Sequence, residues 1–441
     1  MRRKKIFIGP CEIAGYYANL AKGFREIGID CDYITYSPHP FDYGGETCDP
    51  IVLRWMRLFK RGSIKFSNVF FVRVFFTLLS EASQVAWLVL ATFKYDYFIF
   101  GFGQSLLRNN WDLKILRFFG KTVITNLGHG SDARPPYIDG SYQSPDGSSQ
   151  YSMIELCKIS DIQFKKVKFL EENSDVILGA PFSTSQFMKG RYINFFSIGV
   201  PVAGGGQEDR LEESASLDDG VNHVVRILHS PSHPAVKGTK QIKKAIQNLV
   251  DKGYKIELVL LHGRPHAEVI EEIRKCDFVV DQLYSDTPMA GFATEAAWFG
   301  KPAVVGGYAF DYLKTLVPSG SWPPSKLCFP VDIEEAIEDL IVDRVERVRL
   351  GREAQQFVRE KWNVSEVAKR FLHLIDNDVP DEWWLNPVSI TYIHGIGLPV
   401  ERAKENIRQM IELCGVESLQ LGHRPGLESA FVEFASMGPR H

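Results

Sequence analysis

The sequence predicts an α/β protein: two doubly wound, Rossmann-like parallel-sheet domains facing a cleft, followed by a small, mainly helical C-terminal extension. Three observations predict it. A strand, glycine turn, helix, strand alternation begins at Ile6 and continues to Leu178. A second alternating series begins at Val224. Between them, residues 203–222 are glycine-rich, then acidic, with little apolar periodicity, as a linker or exposed loop should be. The expected domains are therefore 1–202 and 223–376, with the extension at 377–441.

In the first half, Ile6-Phe7-Ile8 reads as a short buried strand. The Gly9–Gly15 turn precedes a helix whose Tyr17, Leu20, Phe24 and Ile27 recur at three- and four-residue steps, with Gly28 at its C-terminal stop. Strands follow at 32–36, 97–100, 122–125 and 175–178, and helices at 113–119 and 154–169. Residues 68–102 are rich in Phe, Val and Leu but interrupted by Arg73, Glu81, Lys94 and Asp96, so no uncharged run reaches the roughly 20 residues of a spanning helix. One or two buried helices and a strand are expected there in preference to a membrane-facing surface. In the second half, strands are expected at 224–228, 256–261, 277–281 and 303–305. Helices are expected at 241–251, 265–275 (Pro265 at the first helical position), 294–299, 333–342, 352–360 and 364–375. Helices at 400–413 and 426–436 complete the extension.

Composition narrows the function. The 441 residues carry 51 basic and 54 acidic side chains, a net charge of −3, which argues against a dedicated nucleic-acid binder. Seven widely spaced cysteines without a CxxC pair argue against a disulfide framework or zinc site and point to a reducing cytoplasm. The apolar run at the start is too short for a secretory signal.

Four stretches lie at expected strand ends, where ligands of such sheets bind. Gly9–Gly15 lets backbone approach a ligand at a helix start, but it matches neither GxGxxG nor the Walker pattern. A turn without a ligand explains it as well, and a dehydrogenase is disfavoured. His129-Gly130-Ser131-Asp132-Ala133-Arg134 groups an imidazole, a carboxylate and a guanidinium. The alternative there is a surface Asp132–Arg134 pair beside a structural histidine. Lys237 precedes a helix start, where a cation gains nothing from the dipole, so an anion such as a diphosphate explains it better than solvent. His229 and His233 have no third ligand nearby, and no metal is predicted. Finally, Gly291 and Phe292 can aim backbone N–H groups at phosphate, and Glu295, expected in the first turn of the next helix, can accept from a ribose diol; helix stabilisation is the competing explanation.

On Gly9–Gly15, His129–Asp132, Lys237-Gly238-Thr239 and Gly291–Pro302, the chain resembles the GT-B-type glycosyltransferases, and its second half is similar to the retaining glycosyltransferase family 4 group. The resemblance covers about residues 5–375 with short motifs. It implies that Lys237 binds the donor diphosphate, Glu295 the ribose, and that His129 lies near the transferred sugar, with the last helix crossing back to the first domain. The sequence departs from the family at Ser232, where an arginine is usual, and at Thr287, where a second glutamate is usual. That glutamate contacts the donor sugar in the family, so the second departure leaves the donor sugar open.

The expected function is thus metal-independent, retaining transfer from a UDP- or GDP-linked sugar to a glycan, lipid-linked or other cell-surface acceptor. His129 and Asp132 are the catalytic candidates, and Gly15, Lys237, Gly291, Phe292 and Glu295 the nucleotide-sugar contacts. No cofactor beyond the donor substrate is expected. The expected location is the cytoplasm, with peripheral contact at the inner face of the membrane. Asp30-Cys31-Asp32 has DxD spacing but lies at a strand start in the wrong half. The competing functions are a nucleotide-sugar epimerase of the same shape and a non-catalytic nucleotide-sugar binder.

Overall fold

The computed structural model describes residues 4–36, 48–144, 148–203 and 224–437. The expected linker at 203–222 lies outside the described residues apart from Ala203.

The first domain runs β1 (Ile6–Ile8), α1 (Tyr16–Glu26), β2 (Cys31–Tyr33), α2 (Ile51–Lys65), α3 (Phe70–Lys94), β3 (Tyr97–Gly101), α4 (Asp112–Phe118), β4 (Thr122–Leu127), α5 (Met153–Asn173), β5 (Val176–Gly179), α6 (Pro181–Thr184), β6 (Tyr192–Asn194) and α7 (Phe195–Ile198). The second runs β7 (Val225–His229), α8 (Pro234–Lys237), α9 (Thr239–Asp251), β8 (Ile256–Leu260), α10 (His266–Lys275), β9 (Phe278–Val280), α11 (Gly291–Trp298), β10 (Ala303–Gly306), α12 (Phe310–Leu316), β11 (Lys326–Cys328), α13 (Ile333–Val342), α14 (Arg344–Lys361) and α15 (Val364–Asp376). The chain ends with β12 (Trp384–Leu385), α16 (Val400–Cys414) and α17 (Pro425–Ser436).

Two α/β sheet domains result, as the alternation predicts. The first sheet has the order β12-β6-β5-β4-β3-β1-β2 and is parallel except for β12. The second, β11-β10-β9-β7-β8, is wholly parallel. Parallel strands need helical crossovers that cover both faces, so their residues are apolar on both sides. In β1, Phe7 faces Trp87, Tyr95, Phe98 and Phe100, while Ile6 and Ile8 face Leu20 and Phe24 of α1. Each such fully buried side chain contributes about 1.5–3 kcal/mol.

Several expectations are corrected. Pro265 caps α10 rather than opening it. α11 begins at Gly291, three residues before the expected start, so Glu295 falls in its second turn. The short β2 ends at Tyr33, and α2 and β6 have no counterpart among the expected elements. The apolar stretch does form a helix, α3, but a buried one it is not. Only Ser80, Ser83, Trp87, Leu88, Ala91 and Thr92 are buried, while Phe71 and Phe93 are 83% and 76% exposed.

α15 packs against α1, with Phe371 beside Phe24 and the Val364 carbonyl over Gly23. The extension is mainly helical but not an appendage. β12 pairs antiparallel with β6 and becomes the seventh strand of the first sheet. Arg424 donates to the carbonyls of Ser185 and Ile390, and Asn406 to that of Tyr137. The segment between β12 and α16 and the first residue of α16 also touch the second domain, through Gly397 N–H to the Tyr284 carbonyl (2.8 Å) and Val400 N–H to the Tyr308 hydroxyl (3.1 Å).

Candidate functional site

The carboxyl ends of the two sheets face each other. Two helices begin there, α1 after β1 and α11 after β9, and their starts nearly meet: a Cβ built on Gly291 lies 3.7 Å from that of Ala14. Gly15 is the N-cap of α1 in the left-handed region (φ 78°), a conformation glycine adopts without strain. The first-turn amides of α1 are already served. Glu12, buried, accepts from the N–H groups of Ile13 (2.7 Å), Tyr17 (3.3 Å) and Ala18 (2.9 Å), and from the Tyr33 hydroxyl (2.6 Å). The N–H groups of Gly291, Phe292 and Ala293 in α11 have no acceptor among the described residues, and no side chain caps that helix. Of the two helix ends on the cleft, α11 presents its partial positive charge to an incoming anion.

His129 follows β4. Its Nε2 lies 2.7 Å from the Tyr17 hydroxyl and 3.2 Å from Asn126 Nδ2, and Asn126 Oδ1 accepts from Gly128 N–H. The Asn126 orientation makes Nε2 the acceptor, so the ring proton sits on Nδ1. Rings of Tyr16, Tyr17 and Phe195 surround the imidazole. Although an edge remains accessible, this packing disfavours the charged form and lowers the pKa to about 3. Tyr17 reaches His129 across Gly101, where a Cβ would lie 2.0 Å from the Tyr17 hydroxyl oxygen.

Asp132 is 1% exposed, and neither carboxylate oxygen makes a well-formed hydrogen bond, although the backbone N–H groups of His129 and of Asp132 itself lie close. Burial raises its pKa to about 7, opposed by the nearby charges of Lys166 and Arg134. The same burial lowers Lys166 and lifts the Cys11 thiol to about 11. A carboxyl that exchanges its proton near neutrality can serve as acid or base. The surface Asp132–Arg134 pair considered from the sequence is absent. Arg134 is buried, donating to Asp139 (3.1 Å), to Ser183, and across the cleft to Asp286 (2.9 Å). Ser183 also donates to Asp286. The first domain thus holds the second at the position beside Thr287.

In the second domain, Lys237 ends α8, and Gly238 (φ 71°) turns the chain into α9. Its ammonium donates to Gln282 Oε1 (2.5 Å) and lies 3.7 Å from Asp281, whose second oxygen is buried and unpartnered. His229 is structural: its Nδ1 donates to the Val280 carbonyl (2.7 Å) and its Nε2 accepts from Thr239 (2.9 Å), while burial lowers its pKa to about 4. His233 caps α8. Glu295 lies one turn along the same face of α11 as Gly291 and accepts from His266 Nε2 (2.7 Å), which raises the His266 pKa. Phe292 is half-buried at the helix start. Asp32 of the DxD-spaced triplet accepts from Tyr95 and Lys94, away from the cleft. Among the described residues, no group of three or more His, Cys, Asp or Glu is placed to hold a metal ion.

Glu12, Tyr17, Asn126, Lys166 and Asp286 join the site without having been singled out as site residues. The signal for Glu12 was an acid inside the glycine turn before a helix; for Tyr17 it was masked by its role in the apolar periodicity.

No family model matches the chain, and no curated protein matches it. Solved structures similar to it include the sucrose-phosphate synthase from Thermosynechococcus elongatus, at 14% identity over 85% of this chain and 99% of that one (TM-score 0.49). Others are Anabaena HepE in complex with UDP and glucose (12%, 85% and 100%, TM-score 0.44) and the glycotransferase of kitacinnamycin (12%, 86% and 100%, TM-score 0.42). At such identities and TM-scores the likeness carries no argument of its own, and a functional reading rests on the residues of the cleft.

Proposed function

We propose that the protein transfers a sugar from a UDP- or GDP-linked donor to a glycan or lipid-linked acceptor. The observation that supports this reading best is the open N-terminus of α11, set opposite Gly15 and on the same sheet edge as Lys237. Negative charge grows on the diphosphate as the glycosidic bond breaks. Lys237, the Gly291 and Phe292 amides and the α11 dipole would stabilise it without a divalent ion. Lys237 would exchange its Gln282 and Asp281 partners for the diphosphate, and Glu295 would accept from the ribose. Neutral His129 would donate from Nδ1 to a sugar hydroxyl, and Asp132 would hold or release a proton at the acceptor side. Retention of anomeric configuration is what the family resemblance implies and is part of the proposal.

Lys237→Ala and Glu295→Ala should each weaken UDP or GDP binding about tenfold or more in calorimetry, the size of a lost charge-assisted contact. Unchanged affinity in both variants would sink the assignment. The epimerase alternative gains one observation, the near-neutral Asp132, since such an enzyme needs an acid–base carboxyl. Nucleotide release from a nucleotide-sugar without any acceptor, abolished by Asp132→Asn, would favour it.

A further inference from the structure

The first domain presents an apolar surface that its own fold does not use. Phe71, Phe75, Leu78, Val85, Val89 and Phe93 of α3 recur at three- and four-residue steps or their sums, forming one stripe, and all are exposed. A helix of a soluble domain turns such a stripe inward. Here the inward face carries Ser80, Ser83 and Thr92 beside Trp87, Leu88 and Ala91. The stripe continues onto the end of α4, where Phe119, the residue just past the helix, meets Phe93 (ring centroids 6.1 Å apart) and Phe118 is 85% exposed. At the other end, Ile64, Phe66 and Phe70 extend it around the α2–α3 turn. Nothing among the described residues covers it, and its length exceeds the scattered apolar exposure of an ordinary surface.

Charge identifies the occupant. α2, packed alongside α3, carries Arg54, Arg57, Lys60, Arg61 and Lys65 and no acid. Arg54 and Arg57 share Asp49, whereas Lys60 and Arg61 have no carboxylate partner among the described residues. A recess of about 340 Å³ lies among Asp49, Arg54, Trp55, Arg57, Leu58 and Arg61. A cationic α2 beside a continuous apolar stripe, with Glu81 the one acid on α3 and Asp49 already paired, matches the anionic headgroup and acyl boundary of a bilayer. α3 is long and apolar enough to cross a membrane by composition. Spanning would, however, pull Trp87 and Leu88 out of the core, where Trp87 packs on Phe7 (6.3 Å). The helix must lie along the interface.

We propose that the α2–α3 hairpin and α4 seat this protein peripherally on an anionic lipid bilayer. α3 runs antiparallel to β3, so its start lies on the carboxyl side of the sheet. Its 25 residues span about 37 Å, against about 17 Å for the five residues of β3, so the hairpin tip overhangs the edge where the cleft opens. The seat therefore brings the bilayer to the acceptor entrance. This corollary, that the acceptor is lipid-linked, rests on the transfer reading; the docking itself does not.

Co-sedimentation of the full chain with phosphatidylcholine vesicles, with and without phosphatidylglycerol, tests it. Binding should be stronger on the anionic vesicles and weaken with salt. Phe71→Ser/Phe75→Ser/Phe93→Ser should lower partitioning by about tenfold per phenylalanine with thermal stability unchanged, because these side chains are exposed. Lys60→Glu/Arg61→Glu should lower it about tenfold or more on anionic vesicles only. Failure of the parent to sediment with either vesicle overturns the proposal, as does partitioning unaffected by the triple substitution. A lipid-free dimer dissociated by the same triple, in a parent that ignores vesicles, would assign the face to a second copy instead. Vesicle binding that persists while Lys237→Ala and Glu295→Ala both leave nucleotide affinity unaltered would sink the transfer reading and leave this one standing.

Discussion

Replacing Asp132 by Asn should stabilise the protein while impairing it. The parent carboxyl is buried with neither oxygen in a well-formed hydrogen bond, and its pKa rises from 3.8 to about 7. Since the folded value lies above the unfolded one, the folded state keeps a proton that the unfolded chain has released between about pH 4 and pH 7. The contribution of this group is intact below about pH 4 and is lost as pH rises through about 7. The shift of roughly three units amounts to about 4 kcal/mol at about pH 8, an upper bound because the site can relax. Asn has nearly the same shape and does not titrate. The variant should therefore exceed the parent by up to about 4 kcal/mol at about pH 8, or roughly 4 °C in Tm for a chain of this size, and by little at about pH 4. His129 and His229, lowered to about 3 and about 4, act oppositely, losing stability as pH falls below about 6.5. They are common to both proteins and cancel in the difference. Thermal unfolding of the pair across this range, with turnover measured alongside, decides the matter. A Tm difference that does not change with pH, or a variant less stable at about pH 8, would refute the reasoning. Loss of turnover with gained stability is the trade expected of a site residue.

Gly101→Ala should push the Tyr17 ring off His129, since the new Cβ lies 2.0 Å from the hydroxyl oxygen. A cost of about 1–3 kcal/mol and reduced turnover with unchanged nucleotide affinity are expected, read by chemical denaturation and calorimetry. Arg134→Ala leaves Asp139 and Asp286 facing a buried gap and should cost about 3–5 kcal/mol in urea unfolding. Restoration by an added Asp286→Asn change would show that the stranded charge, not lost packing, is the cause.

Much of the fold is legible because parallel sheets impose a pattern that sequence displays. Helices with three- and four-residue apolar steps, stopped by residues such as Gly28 and Gly253, alternate with short Ile, Val and Phe runs. The departures have physical causes. Composition makes α3 look buried because exposed and buried apolar helices share it, and only the packed structure tells which side of the stripe is covered. β12 escapes a sequence reading because two residues, Trp384 and Leu385, become a strand only when β6 offers them a partner. The second turn of Glu295 follows from a helix that starts at a glycine, a residue that marks turns more often than first helical positions. His129 and Asp132 stand out from chemistry clustered at a strand end, but Asp286 and Arg134 meet across 152 positions of sequence, and no local pattern announces that.

The two helix starts on the cleft show what structure adds to such a pattern. Both α1 and α11 follow a strand and start at a glycine, Gly15 as the N-cap of one and Gly291 as the first residue of the other, and from the sequence either could greet a phosphate. Glu12 separates them. By filling the amides of Ile13, Tyr17 and Ala18, its carboxylate offsets the positive end of α1, and a second anion there would meet charge of its own sign. Gly15 can then serve only by letting the backbone come close. α11 keeps three open amides, with Lys237 on the same edge. The cleft is therefore polarised: an anionic diphosphate is favoured on the second domain, and neutral groups, His129 Nδ1 and an Asp132 that is half-protonated near pH 7, are left on the first. That division is what transfer requires, since the leaving group gains charge while the acceptor hydroxyl must lose a proton.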